Sequence, residues 1–364
     1  MEYPHSRLIA GGVLLGLFLL GSCTLPKVPA TGQNDEIMVF ADDTTWNTLE
    51  PAIRFVFEDT IYTPIPETWF TVERVPFSEW EQHTTQKNRI IIGTLEGQGP
   101  VSQFIQGALD DTVKSLVREN KEFVFARYDS RARGQLLMFL VAPTHQDLEV
   151  QMRSRAPDLV YYFRNLWLKR EMAEIADDEK YNKEDISRSL LQQHGWTMTV
   201  AHDYYVARDT GAAKFFWMRR ANPVDLERWI FVAWWDSTTP ELLEGPWIRA
   251  ARDSITRRWM RTMDDLAYVE IAPYNQNVEA VDFLGRYAIE IRGNWRFSDK
   301  SGGGPFVNYT FYDERTRRTY MLDASIFAPR VAKKKLIMQV EGLINTFRTL
   351  GDLPDDERNR MLGR

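Results

Sequence analysis

One cysteine, Cys23, stands in a chain of 364 residues. With one thiol no intrachain disulfide can form, so whatever folds here must be held by an apolar core. The position of the cysteine constrains more than its number. It follows Leu8 to Leu20, LIAGGVLLGLFLL, thirteen residues without a charge. A bilayer span takes about 20 apolar residues, whereas the apolar stretch of a secretory signal takes roughly 7–15. Arg7 supplies the preceding positive charge and Glu2 weakens it. A buried core helix is the competing reading, and three glycines inside so short a stretch count against it.

Leu20-Gly21-Ser22-Cys23 resembles the bacterial lipobox, a large aliphatic residue and two small ones before cysteine. The resemblance implies that a peptidase recognises Leu20, Gly21 and Ser22, cuts before Cys23 and leaves a lipid on its sulfur. Small side chains let a protease reach the backbone, and a thiolate is the nucleophile that accepts the lipid group. Each buried CH₂ of an acyl chain is worth about 0.8 kcal/mol, so several chains anchor a soluble body. Residues Thr24 to Asn34, TLPKVPATGQN, carry two prolines, a glycine and no apolar periodicity. They are predicted to form a flexible tether with a reach of about 36 Å.

Removing 22 of 364 residues leaves 342, more than the roughly 250–300 over which one core usually grows. Two lobes are expected. The segments are a signal peptide (1–22), a tether (23–34), a first lobe (35–185), a second lobe (186–350) and a solvated polar tail (351–364). Hydrophobic residues make up 44% and charged ones 26%, an ordinary globular composition. A net charge of −6 argues against nucleic acid as a partner and against membrane coating by charge alone.

Strands are predicted at Glu36 to Ala41, Trp69 to Val75 and Arg89 to Thr94, with a helix from Thr44 to Asp59. Apolar residues from Val101 to Val117 fall at helical spacing, and Glu122 to Tyr128 with Gln135 to Ala142 reads as a hairpin. Thr144 three residues before Asp147 marks a helix start. Beyond the charged stretch Ala176 to Asp185, strands are read at 196–201, 215–219, 229–235, 286–297, 306–313 and 319–327. Helices are read at 240–266 and near the end, where Leu336, Val340, Leu343 and Phe347 share a face. Both halves end in a strand, Ala-Pro and a helix, at Gly134 to Pro143 and Thr319 to Pro329. The fold class predicted is α+β, two similar lobes of antiparallel sheet with packed helices, related by a degenerate internal duplication.

The stretch from Gly303 to Glu341, GGPFVNYTFYDERTRRTYMLDASIFAPRVAKKKLIMQVE, resembles an uncharacterised lipoprotein family, domain of unknown function 4837. The Gly-Gly-Pro-Phe-Val hairpin, the Ala-Pro turn and the basic start of the last helix carry the likeness. The lipobox, EIMVF and AAKFFWMRR at Ala212 to Arg220 add to it, so it extends from about Asp35 to Leu350. The resemblance implies an envelope lipoprotein of the Bacteroidota type and brings no catalytic residues.

Reactive constellations are scarce. His83, His145, His194 and His202 form no His-Glu-x-x-His pair, and no second cysteine completes a zinc site. No metal and no cofactor is predicted. His202 beside Asp203 could serve hydrolysis, against the simpler reading of a surface histidine at a strand end. No Gly-x-Ser-x-Gly elbow occurs. The adjacent acids Asp42-Asp43, Asp110-Asp111, Asp177-Asp178 and Asp264-Asp265 point apart from each other, whereas glycoside hydrolysis needs facing carboxyls about 5–9 Å apart. They read as solvated acids. Ser301 to Pro305 runs into a strand, not a helix, so it reads as a hairpin loop needing positive φ and not as a phosphate cradle. Arg249, Arg252, Arg257, Arg258 and Arg261 read as a solvated, ion-paired helix face.

Aromatic residues reach 13%, with twelve tryptophans. Adjacent strand residues face opposite ways, so of Trp234 and Trp235 one stays outside any one-sided core. That pair is the candidate ligand surface, suited to stacking on a sugar. The function expected is a lipid-anchored envelope protein, a binding or structural component and not an enzyme; the alternative is an envelope hydrolase using His202 and Asp203. Its partners would be the membrane, through Cys23, and an envelope protein or glycan. Thr24 is not acidic, which favours the outer over the inner membrane.

Overall fold

The computed structural model describes residues 27–177, 182–221 and 226–364. Leu20, Gly21, Ser22 and Cys23 lie outside the described residues.

The first lobe runs β1 (Glu36–Ala41), α1 (Asp43–Phe57), β2 (Thr60–Ile61), β3 (Glu67–Thr68), β4 (Thr71–Arg74), β5 (Asn88–Thr94), α2 (Pro100–Ala108) and α3 (Asp111–Arg118). It continues with β6 (Val124–Tyr128), β7 (Leu136–Ala142), α4 (His145–Ser154) and α5 (Ala156–Asp177). The main sheet has the order β4-β1-β5-β7-β6. β1 is parallel to β4 and β5, β5 is parallel to β7, and β6 alone is antiparallel. This corrects the antiparallel sheet expected here. The cause is visible in β5 and β7, whose residues are buried at every position. Ile37, Val39, Ile90, Ile92 and Met138 face α1, α4 and α5, while Met38, Phe40, Ile91, Leu137 and Phe139 face α2 and α3. Sheets covered on both faces by crossover helices are the setting of parallel strands. The β6–β7 hairpin and the Thr144 start of α4 are as predicted. The long helix predicted over 101–117 is instead two, because Asp110 accepts Val113 N at 2.8 Å and caps a new one.

The second lobe runs α6 (Glu184–His194), β8 (Trp196–Thr197), β9 (Tyr205–Thr210), β10 (Phe215–Arg220), β11 (Glu227–Asp236), α7 (Gly245–Trp259), β12 (Val269–Ile271) and β13 (Asn277–Phe283). β14 (Arg286–Phe297), β15 (Gly303–Asp313), β16 (Arg318–Phe327), α8 (Lys334–Ile344), β17 (Arg348–Thr349) and α9 (Asp355–Leu362) complete it. Its sheet is antiparallel throughout, in the order β12-β14-β15-β16-β11-β10-β9 with β13 also on β14. The α+β class therefore holds, but the two lobes do not share a topology. What they share is local: a central strand ending in Ala-Pro before a helix.

Both faces of this second sheet are also covered. Ile230, Val232, Tyr309, Leu322 and Ala324 meet α8, whereas Phe231, Ile289, Trp295 and Met321 meet α7. Beneath α7 lies a buried polar island. Arg252 Nε donates to Asp323 at 2.7 Å and its Nη2 to Ser325 Oγ at 3.0 Å; Asn308 Nδ2 donates to Asp323 at 3.0 Å. Arg252 also lies 3.9 Å over the Phe306 ring. One of the five arginines expected on a solvated face is thus turned inward. The Ser301 to Pro305 loop differs from expectation too. The left-handed residue is Lys300, at φ 64°. Gly304 is needed for close approach, since a Cβ there would sit 1.8 Å from the Ile326 carbonyl.

The lobes meet where α5 packs on α8, with Gly342 letting Glu171 and Ile175 approach. No side chain of its own caps α8. Glu67 of β3 does so from the other lobe, accepting Lys333 N at 2.7 Å and Lys334 N at 3.1 Å. Asp35 pairs with Lys334 at 3.0 Å. Burial alone would raise the Asp35 pKa, but Lys334 and Lys335 hold it below the ordinary value. Nearby, Arg292 of β14 is gripped by Glu290 at 2.7 Å and by Glu341 of α8, and Tyr309 donates to Glu341 at 2.6 Å. Capping groups are worth about 0.5–2 kcal/mol. Glu67→Ala is accordingly expected to cost about 1–2 kcal/mol and Glu67→Gln less, read as shifts in the urea midpoint; equal midpoints for all three proteins would refute the cap.

Two terminal segments depart from expectation. Val28 O accepts Arg133 N at 2.8 Å, Ala30 N donates to Arg133 O at 2.9 Å and Lys87 N to Thr31 O at 2.9 Å, so the segment read as a tether is bound to the first lobe from Val28 onward. The segment read as a polar tail is ordered. Leu353 is buried, Asp352 pairs with Arg286 at 2.7 Å and Gln192 Nε2 donates to Met361 O at 3.1 Å.

Candidate functional site

The tryptophan pair does not share one exposed face. Trp234 is buried, 4.9 Å from the His194 ring and 5.7 Å from Trp196. Trp235, on the opposite face, is half-buried against Trp247 at 5.1 Å. The sheet is covered on both sides, so each residue of an adjacent pair finds its own core. His202 is exposed, and Asp203 is committed to Arg220 at 2.6 Å. His194 is buried with its Nε2 2.8 Å from Asp209.

In the first lobe the chain leaves β1 toward β4 on one side and leaves β5 toward β7 on the other. The carboxyl ends of β1 and β5 therefore flank a topological switch point, where open α/β sheets bind ligands. The β5–α2 loop there, LEGQG, leads into the N-terminus of α2. Its free N–H groups would suit an anion. They are already occupied. Asp42, at the end of β1, accepts Val101 N at 2.9 Å, Ser102 N at 3.0 Å and Ser102 Oγ at 2.8 Å. Gly99 leaves room for it, since a Cβ would lie 2.2 Å from the Asp42 carboxyl carbon. Asp42 is thus a helix cap, not the solvated acid expected. On the same rim Thr45 Oγ1 and His145 Nε2 lie 3.0 Å apart, a hydroxyl–imidazole pair. Thr45 is 2% exposed, which keeps any substrate from its oxygen.

An open cavity of about 440 Å³ lies in the second lobe, within the size range of small-molecule sites. Two hairpin turns, Leu243 and Asp352 build it. The β13–β14 turn brings Leu284, Arg286 and Tyr287, the β15–β16 turn brings Tyr312, Asp313 and Arg315, and Leu243 and Asp352 close it. Leu284 holds φ at 55° and Gly285 at 76°, the left-handed pair that a tight hairpin turn requires. At the floor Arg286 Nη2 donates to Asp313 at 3.1 Å and to Asp352 at 2.7 Å. Burial opposes charge on Arg286, but the two carboxylates outweigh it and hold its pKa above the ordinary value. Burial likewise works on Asp352, yet the Thr349 N–H and Arg286 keep its pKa low. These charges are fixed at neutral pH. Tyr287 and Arg315, 62% and 66% exposed, form the outer rim. The arrangement can recognise a polar ligand through aromatic faces and fixed charges. Spacing could not reveal it, because its residues come from separate turns and from a segment read as tail.

The second lobe is an α+β domain built on one antiparallel sheet sheathed by α7 and α8. Its residues 183–346 match the model of the family described as "Domain of unknown function (DUF4837)". Residues 30–176 match another, "Domain of unknown function (DUF8532)". The resemblance read in the sequence therefore holds for the second lobe, and the first matches a different family. No curated protein matches the chain. Among solved structures, one from Bacteroides thetaiotaomicron VPI-5482 is 8% identical with a TM-score of 0.27, covering 46% of this chain and 48% of that one. LpqN of Mycobacterium tuberculosis, described as involved in cell envelope biogenesis, is 11% identical with a TM-score of 0.24, covering 41% of this chain and 79% of its own. The chain thus spans about half of the first of these structures.

Proposed function

We propose that this is a lipid-anchored protein of the cell envelope, held through Cys23 on the outer membrane and acting by binding. The observation that carries the reading is Leu20-Gly21-Ser22-Cys23 at the end of the uncharged stretch that begins at Leu8, with no other thiol in the chain. The second-lobe cavity supports binding over catalysis. Asp313, Asp352 and Arg286 are locked in mutual ion pairs, and groups so held make good recognition elements and poor proton donors. A glycan or peptide segment of the envelope is the ligand class that its tyrosine rim and fixed charges fit. Cys23→Ser tests the anchor. The wild-type chain, expressed in a bacterium with lipoprotein processing, should fractionate with membranes and carry acyl mass on residue 23. The variant should lose that mass and appear in the soluble fraction. Equal partition of both, with an unmodified thiol in the wild type, would refute the reading.

A further inference from the structure

The folded body begins very close to Cys23. The chain is fixed to the first lobe by the hydrogen bonds of Val28 and Ala30 with Arg133. From Cys23 to Lys27 is four peptide steps, at most about 14 Å, much less than the reach of a free tether. A lipid on Cys23 would therefore leave little choice over which surface meets the bilayer.

That surface has a definite chemistry. Lys27 is exposed and donates to the Asp129 carbonyl, which places it at the turn between β6 and β7. Arg131 and Arg133, in the same turn, are exposed. The turn's own acid is directed inward, with Asp129 accepting Gly134 N at 2.6 Å and Gln135 N at 3.2 Å. Large apolar and aromatic side chains stand beside these cations. Val28 is 57% exposed, Tyr128 at the end of β6 is 51% exposed and Tyr161 on α5 is 61% exposed. Burial raises the Tyr128 pKa, and Tyr162 and Tyr161 of α5 are near enough to add to the rise. Cations paired with tyrosine are the side chains that settle at a bilayer interface, where the charge meets phosphate and the ring meets the acyl boundary. The whole molecule is acidic, at −6, so this cluster also differs in sign from the rest.

Building on the lipid-anchor reading, we infer that the turn between β6 and β7 is the membrane-facing surface of the protein. Lys27, Arg131 and Arg133 engage anionic lipid headgroups, and Val28, Tyr128 and Tyr161 sit at the interface. The anchor thereby fixes an orientation as well as a location.

With Cys23 acylated, an introduced cysteine is the sole free thiol, which allows a direct test. Full-length acylated Tyr128→Cys and, as a control, Leu266→Cys, whose site is 81% exposed on the other lobe, are bound to phosphatidylethanolamine–phosphatidylglycerol vesicles. Each is then treated with a bulky PEG-maleimide. Loss of labelling at position 128 on vesicles, restored in detergent, with position 266 labelled in both, is the expected result. Adding Arg131→Glu and Arg133→Glu should restore labelling at 128 on vesicles. Equal labelling of both positions on vesicle-bound protein overturns the orientation and leaves the anchor intact. A chain that stays in solution with a reactive Cys23 overturns the anchor and the orientation together.

Discussion

Asp323→Ala is expected to lower the unfolding free energy by about 3–5 kcal/mol, the usual cost of leaving one member of a buried ion pair alone. Both side chains of the Arg252–Asp323 pair are essentially inaccessible, at 1% and 0%. Removing Asp323 strands the guanidinium under α7 and removes the acceptor that orients Asn308 and Ser325. The double variant Arg252→Met, Asp323→Leu should be far less damaged than either single change, because apolar groups of similar size need no partner. Urea midpoints of the wild type, Arg252→Met, Asp323→Leu and the double variant close the cycle. If the single variants unfold with the wild type, the pair is not the brace beneath α7 that the geometry describes.

Arg292→Met should be comparably damaging, and its effect should depend on pH. Arg292 is shared by Glu290 and Glu341 and lies over Trp69 of the first lobe at 5.8 Å. In the wild type burial tends to raise the Glu290 pKa, but Arg292 reverses this and holds it below the ordinary value. A lowered folded pKa gives stability that is fully present above the unfolded value, about 4.3, and fades as pH falls through the folded one. Without Arg292, only Arg164 and the Tyr309 hydrogen bond still oppose burial, so the folded pKa of Glu290 moves up and the sign inverts. The variant then loses stability as pH rises through the raised folded pKa. The deficit against wild type should therefore be about 3–5 kcal/mol near neutral pH and should shrink toward pH 5. A deficit that grows on acidification would contradict this account.

Strand and helix positions were largely legible, since β1 and β14 fall on the predicted residues and β10, β11 and β16 lie within two of theirs. Direction was not. The run LLMFLVA in β7 is apolar at every position, which is the mark of a strand buried on both faces; read as half of a hairpin, its parallel pairing with β5 stays hidden. β9 and β13 escaped notice because edge strands with exposed residues, such as Asn277 to Ala280, lack alternation. Trp234 and Trp235 misled for the same reason as β7. The Ala-Pro endings suggested kinship between lobes, but a shared exit from a strand says nothing about its neighbours. The cavity was beyond sequence reasoning, since Arg286, Asp313 and Asp352 are brought together only by the packing of distant turns.

Asp42 has a consequence for ligand discovery. A group on the same chain competes at an effective concentration of about millimolar even when loosely tethered, and Asp42 is held rigidly by three hydrogen bonds. A dissolved phosphate or nucleotide must outcompete that carboxylate before it touches α2. Compound screens against this protein would be better aimed at the rim of Tyr287 and Arg315.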